Sequence, residues 1–68
     1  MDTWRMIWRI GCDGNKVCVD LYDEFETRIQ SLTVSADSTK KDVEAIFLGL
    51  GYIQEGAVVN HEGDCPED

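Results

Sequence analysis

Basic residues are scarce in this sequence, and their scarcity excludes several kinds of ligand. The 68 residues hold 6 Lys and Arg against 14 Asp and Glu, so the formal net charge is −8. Proteins bind nucleic acids and anionic membranes mainly through Lys and Arg that meet phosphate groups. We therefore expect neither direct binding to nucleic acid nor docking on a membrane surface.

Long apolar runs are also missing, and the first residues do not show the pattern of a secretory leader. No stretch approaches the roughly 18–20 apolar residues that span a bilayer, and Met1–Arg5 lacks the basic and apolar regions of a secretory signal. A chain of 68 residues is long enough for one small domain. We expect a complete, soluble, cytoplasmic protein that is a monomer rather than an oligomer.

The first part of the sequence predicts a β-hairpin. Residues 3–10 alternate between apolar and polar side chains, which is the period of a half-buried strand. Asp13-Gly14-Asn15 indicates a tight turn, and residues 16–22 alternate again. The side chains expected to point inward are Trp4, Met6, Trp8, Ile10, Val17, Val19 and Leu21.

Three cysteines with no close pair do not suggest a secreted disulfide framework. By the hairpin's alternation, Cys12 lies on the inward face and Cys18 on the outward face. Side chains on opposite faces cannot be bridged without distortion, so we expect no Cys12–Cys18 disulfide unless a bulge shifts the alternation. On the outward face, the hairpin brings Arg9 opposite or next to Asp20.

Residues 24–34 predict a third strand with one irregularity. Phe25 and Ile29 share one face, whereas Leu32 and Val34 have the opposite parity. We therefore expect a bulge or bend near residues 30–31.

A helix follows the third strand. Ser38 or Asp37 can cap it, and Thr39-x-x-Asp42 resembles a capping box. Apolar residues then repeat at i, i+3, i+4 and i+7, and Gly51 is expected to end the helix. The apolar stripe consists of Val43, Ile46, Phe47 and Leu50.

These elements predict a two-layer α+β domain over residues 1–61. The elements follow one another along the chain in the order β-β-β-α-β. The helix packs on one face of a mostly antiparallel four-stranded sheet. The last strand covers residues 52–60 with a bulge at Gly56, and it pairs with either the first or the third strand. Residues 62–68 form an acidic C-terminal tail. The predicted core joins Trp4, Met6, Trp8, Val19, Ile46 and Phe47.

No catalytic motif accompanies this fold, so we expect neither an enzyme nor a cofactor. Cys12, Cys18, His61 and Cys65 could be assembled into a zinc site, but they lack the short Cys-x2–4-Cys spacing of structural zinc sites. We expect no metal, cysteines that act as small apolar residues or free thiols, and an exposed His61 after the last strand.

Exposed aromatic and apolar residues offer further hypotheses. Trp4 and Trp8 could stack on bases, but their inward parity favours the core. Leu48 on the helix flank and Ile7 on the outer sheet face are either ordinary exposed residues or anchors for a partner.

The acidic surface departs most from ordinary composition. Acids concentrate in residues 20–26 and 55–68. On a strand, Glu24 and Glu26 would lie about 6.6–6.8 Å apart, close to the spacing of phosphates along a nucleic-acid strand. Such carboxylates can occupy a Lys/Arg groove built for DNA. The alternative is that the charge serves solubility alone.

In size, acidity and architecture, the chain resembles the small anti-CRISPR proteins of phages. The segment from Leu32 to Ala45, LTVSADSTKKDVEA, is similar to the strand-to-helix junction of such proteins. This resemblance implies a non-enzymatic, stoichiometric inhibitor of a type I CRISPR surveillance complex, with type I-C as our candidate, in the cytoplasm of a bacterial host. Its acids would cover the Lys/Arg surface that grips the target duplex or reads the PAM.

The acids that we expect to bind this basic partner surface are Asp20, Asp23, Glu24, Glu26, Glu55, Glu62 and Asp64. A second hypothesis is a small acidic protein–protein interaction or assembly domain of viral origin, which associates through apolar positions and tolerates salt.

Overall fold

The computed structural model describes residues 3–67 as one four-stranded sheet with one helix. The elements are β1 (Thr3–Asp13), β2 (Lys16–Tyr22), β3 (Arg28–Ser35), α1 (Lys40–Gly49) and β4 (Val58–Gly63). The strand order is β3-β2-β1-β4, with antiparallel β1/β2 and β2/β3 pairs and a parallel β1/β4 pair. The predicted α+β class, element order and mostly antiparallel sheet are therefore confirmed, and β4 lies beside β1.

The helix provides the crossover that this topology requires. β3 and β4 occupy opposite edges and run in the same direction, so the chain must cross the sheet between them. α1 carries out this crossing on one face, where Val43 and Phe47 are fully buried. In the segment from Thr3 to Glu67, no helix is long and apolar enough to cross a membrane.

The core follows the inward parity of β1 and β2. Trp4 points to the same face, where it packs against the core and is half-buried. Two expectations are wrong: Ile46, predicted in the core, is 40% exposed, and Ile10, expected to point inward, is 68% exposed near the irregular hairpin turn. The buried apolar residues are Met6, Trp8, Val17, Val19, Leu21, Val34, Val43, Phe47 and Ile53.

Both ends of α1 are closed by local hydrogen bonds. Thr39 is the N-cap, and its side chain and that of Asp42 bond reciprocally to each other's backbone N–H groups. At the other end, Gly51 has φ +85°, and Tyr52 N donates to the Phe47 carbonyl at 3.0 Å. The capping box and the terminating glycine are confirmed, whereas Ser38 and Asp37 do not cap.

At the tip of the hairpin, Cys12 and Cys18 lie on the same face of the sheet rather than on the predicted opposite faces. The β1/β2 register shifts between Ile10 and Asp13, and Gly11 adopts φ +78°. This irregularity reverses the parity after Ile10, so Cys12 reaches the face of Cys18. The two form a disulfide with a Cα–Cα distance of 6.1 Å, and the expectation that they stay unbridged is wrong.

Two predicted strand boundaries also shift. β3 begins at Arg28 rather than at residue 24, and its irregularity lies between Arg28 and Gln30, slightly earlier than expected. β4 spans Val58–Gly63 rather than residues 52–60, so positions 62 and 63 belong to the sheet instead of the tail. Residues 50–57 form the connection between α1 and β4.

Candidate functional site

The structure places the seven predicted partner-binding acids in four different environments. One is nearly buried, two share an arginine, two accept hydrogen bonds from the backbone, and two are free of any such contact within residues 3–67. The nearly buried acid is Asp20, and the two that share an arginine are Glu26 and Glu62. Asp23 and Asp64 accept from the backbone, and Glu24 and Glu55 have no such contact.

Asp20 is committed to contacts inside the protein. It is only 6% exposed, and it accepts a hydrogen bond of 2.6 Å from Ser31 Oγ. An Arg9 guanidinium nitrogen lies 3.3 Å from its other carboxylate oxygen, which confirms the expected neighbourhood of Arg9 and Asp20. A carboxylate whose oxygens are already satisfied and covered has little to offer a partner. The structure therefore leaves Asp20 out of the candidate surface.

Arg5 holds two acids on the sheet face opposite α1. Its Nε and one terminal nitrogen donate to the two Glu62 oxygens at 2.7 and 3.1 Å. Its other terminal nitrogen donates to Glu26 at 3.0 Å. The Arg5 hydrogen bonds lower the pKa of Glu62 against a smaller opposing effect of burial, and Glu62 raises the pKa of Arg5 in turn. One cation thus balances only one of the two carboxylates.

Asp23 and Asp64 shape the backbone at opposite ends of the sheet. Asp23 Oδ1 accepts from the backbone N–H groups of Phe25 and Thr27, each at 2.9 Å. Asp64 Oδ2 accepts from the Ile10 N–H at 3.2 Å, near the hairpin turn. These two acids therefore cannot form a single surface with each other.

Glu24 and Glu55 flank Trp4. Glu24 and Trp4 line one shallow cleft together with Phe25, and Glu55 and Trp4 line a second, between Gly51 and Val58. Both glutamates are exposed, and within the described chain neither has a hydrogen bond or ion pair. We call the surface formed by Trp4, Glu24, Phe25, Glu26 and Glu55 the acidic end.

The expected strand-like spacing of Glu24 and Glu26 is wrong. Residues 23–27 form a loop between β2 and β3, and Glu26 has φ +63°. The loop is closed by hydrogen bonds from Asp23 N to the Thr27 carbonyl and from Glu26 N to the Asp23 carbonyl, each 3.1 Å long. The acids here are presented by a turn rather than by the regular rise of a strand.

Phe25 is a candidate that the sequence reasoning placed wrongly. The pattern assigned it to a face of the third strand, but it projects from the 23–27 loop and is 78% exposed. The alternation of Glu24, Phe25 and Glu26 also fits a half-buried strand, so the local sequence carries no signal that marks this loop.

The side chain of His61 is buried rather than exposed, because β4 continues to Gly63 and includes this residue. Its side chain is 7% exposed, and its Nδ1 accepts a hydrogen bond from Trp8 Nε1 at 3.0 Å. Its Nε2 lies 2.9 Å from a Glu44 carboxylate oxygen. This arrangement has no serine, threonine or cysteine nucleophile among its hydrogen-bond partners.

The four residues considered for zinc do not form a donor set. Cys12 and Cys18 are bonded to each other, and His61 is engaged by Trp8 and Glu44. Between Thr3 and Glu67, no group of three or more His, Cys, Asp or Glu side chains is arranged to hold a metal ion.

No protein-family model matches this chain, and no curated protein or solved structure matches it either.

Proposed function

We propose that the protein is a non-enzymatic inhibitor that binds a basic, DNA-binding surface of a partner protein through its acidic end. Carboxylates carried on a small folded domain would occupy positions where the partner otherwise contacts phosphates. The partner's Lys and Arg would then be unavailable to DNA, and no covalent step would be needed.

The observation that carries this proposal is the unbalanced charge around Trp4. Glu24 and Glu55 have no partner in the described chain, and Glu26 shares its single arginine with Glu62. Leaving several acids unpaired contributes nothing to folding, whereas a surface of one sign attracts an oppositely charged partner and speeds encounter. The acidic end is therefore better explained by binding than by stability.

A type I CRISPR surveillance complex is the first partner to test, with type I-C as the candidate that the resemblance suggests. Such complexes hold target DNA in basic channels and read the PAM through Lys or Arg contacts. Asp23 and Glu62 remain proposed contributors at the margins of the contact, because each keeps an exposed or half-exposed carboxylate. Asp64 lies near the hairpin turn, away from the acidic end, and is left out of this contact.

A competition assay tests this function directly. Purified type I-C complex binds a fluorescent PAM-containing DNA duplex, and the protein is titrated at low and at high salt. We expect one equivalent to displace the duplex at low salt and displacement to weaken as salt rises. The double variant with Glu24→Gln and Glu55→Gln should displace the DNA about tenfold less well, as expected for two lost charge contacts of modest strength.

A matched control separates the acidic end from net charge alone. The double variant with Asp37→Asn and Glu67→Gln loses the same formal charge near the hairpin-turn end of the sheet. It should inhibit as well as the unmodified protein. Equal weakening by both double variants, or unchanged inhibition by the first, contradicts the assignment of binding to the acidic end.

The second candidate function is a protein–protein interaction or assembly domain, and one feature of α1 favours it. Ile46 and Leu50, 40% and 57% exposed, lie on one flank of the buried face, and Leu48, 41% exposed, lies on the opposite flank. An apolar contact strengthens or stays constant as salt rises, unlike a charged one. Light scattering at low and high salt distinguishes the two: salt-tolerant association that Leu48→Ser abolishes supports assembly.

A further inference from the structure

Phe25 is exposed to a degree that folding alone does not explain. At 78%, it is the most exposed large hydrophobic side chain between Thr3 and Glu67. An exposed phenylalanine gives up the favourable free energy that its burial would contribute to the folded state. Its side chain is therefore available to a contact outside this domain.

The loop that carries Phe25 is held in place. Asp23 accepts the backbone N–H groups of Phe25 and Thr27 at 2.9 Å, and Asp23 N donates to the Thr27 carbonyl at 3.1 Å. Arg5 ties Glu26 to β1 through a 3.0 Å contact. Because the backbone is already ordered, binding through this loop costs little additional conformational entropy.

The charges beside Phe25 determine which kind of surface can cover its ring. Glu24 and Glu26 adjoin it in the sequence, so any surface that covers the ring also approaches two carboxylates. An uncharged apolar surface would strip water from these acids without compensation, and a second copy of this acidic chain would repel them. A surface with Lys and Arg around an apolar depression compensates both groups.

We propose that Phe25 is the apolar anchor of the contact and inserts into a nonpolar socket rimmed by Lys and Arg on a partner protein. This inference rests on the proposed function and deepens it, because it states what the partner surface must contain besides positive charge. Aromatic residues commonly dominate the binding energy when they fill such a socket, while the surrounding charges guide approach.

Two synthetic helical peptides of equal length and equal positive charge provide the test. One carries leucines between its lysines and arginines, and the other carries serines at those positions. Isothermal titration calorimetry at low salt compares the protein with three variants, Phe25→Ala, Phe25→Leu and Ile10→Ala. Ile10 is a matched control, since it is 68% exposed but lies near the hairpin turn at the opposite end of the sheet.

We expect the unmodified protein to bind the leucine peptide about tenfold more tightly than the serine peptide, as burial of one aromatic ring would provide. Phe25→Ala should lose this preference while it keeps its affinity for the serine peptide. Phe25→Leu and Ile10→Ala should retain the preference. Circular dichroism should show that all variants fold, because neither side chain belongs to the core.

The outcomes distinguish the anchor from the charge-based function. Salt-sensitive binding to both peptides without any preference, or a preference that survives Phe25→Ala, overturns the anchor and leaves the proposed function standing. Absence of salt-sensitive binding to either peptide overturns both.

Discussion

The indole Nε1 of Trp8 donates a hydrogen bond to Nδ1 of His61 at 3.0 Å, which joins β1 to β4 inside the core. An indole nitrogen can only donate, so Nδ1 must accept, and the ring proton resides on Nε2, where it is donated to Glu44. This chain of hydrogen bonds connects the sheet to α1. It explains why a histidine occupies an inward-facing position of β4.

Replacement of His61 should destabilise the protein more than replacement of Glu44. His61→Leu leaves the nearly buried Trp8 N–H without an acceptor, and we expect a loss of about 1–3 kcal/mol in the free energy of unfolding. Glu44→Gln keeps an oxygen that accepts from Nε2, and it should cost less than about 1 kcal/mol. Urea unfolding followed by circular dichroism measures both. Equal stability of His61→Leu and the unmodified protein contradicts the assignment.

The Cys12–Cys18 disulfide should be detectable by the reactivity of the three thiols. In native, oxidised protein we expect alkylation of Cys65 only, and alkylation of all three cysteines after reduction. The Cys12→Ser, Cys18→Ser double variant should lose about 2 kcal/mol of stability, which is the chain-entropy value for so short a loop. Cys65→Ser is the control: it removes a thiol that packs at the edge of the core, and it should cost less than the double variant. Three reactive thiols before reduction would disprove the bridge.

Periodicity predicted the hairpin, the inward face and the ends of the helix, because these depend on local geometry. Met6, Trp8 and Val19 are buried as their alternation requires, and Thr39 and Gly51 close the helix through contacts within a few residues. Such features need no knowledge of distant parts of the chain.

The failures share a dependence on long-range contacts or on a single backbone irregularity. Gly11 reverses the parity of Cys12, and nothing in the pattern before it indicates that shift. The burial of His61 escapes a local reading because its partners, Trp8 and Glu44, lie 53 and 17 residues away in the sequence. The pairing of Arg5 with Glu62 likewise requires the parallel β1/β4 register, which the sequence left open.

The pairing of Arg5 with Glu62 should make stability depend on pH in a defined direction. Because the Arg5 hydrogen bonds lower the pKa of Glu62 in the folded state, the stabilisation is present above the ordinary value of 4.5 and is lost as pH falls through the lowered pKa. Glu62→Gln should therefore reduce Tm by a few degrees at most at neutral pH, and the difference should shrink in acid. Thermal unfolding monitored from neutral to acidic pH measures it.

Glu55→Gln is the control for this pH dependence. It makes the same chemical change at a carboxylate that has no ion pair in the described segment, so its effect on Tm should not follow the same pH profile. A Glu62→Gln difference that grows as the solution becomes more acidic would contradict the sign derived from the Arg5 contact.

Gly63 should be the least replaceable glycine between Thr3 and Glu67, because an added Cβ would meet neighbouring atoms there and at none of the other glycines. It pairs with Trp8 at φ +78°, and an added Cβ would overlap the Trp8 carbonyl oxygen. We expect Gly63→Ala to lower the free energy of unfolding by about 2–4 kcal/mol, from the left-handed backbone together with the steric overlap. Gly56 has φ +85° but open space around the added Cβ, so Gly56→Ala should cost only the backbone part, about 1–2 kcal/mol. Urea unfolding compares the two, and equal losses would show that the close approach of Gly63 to Trp8 does not exist in solution.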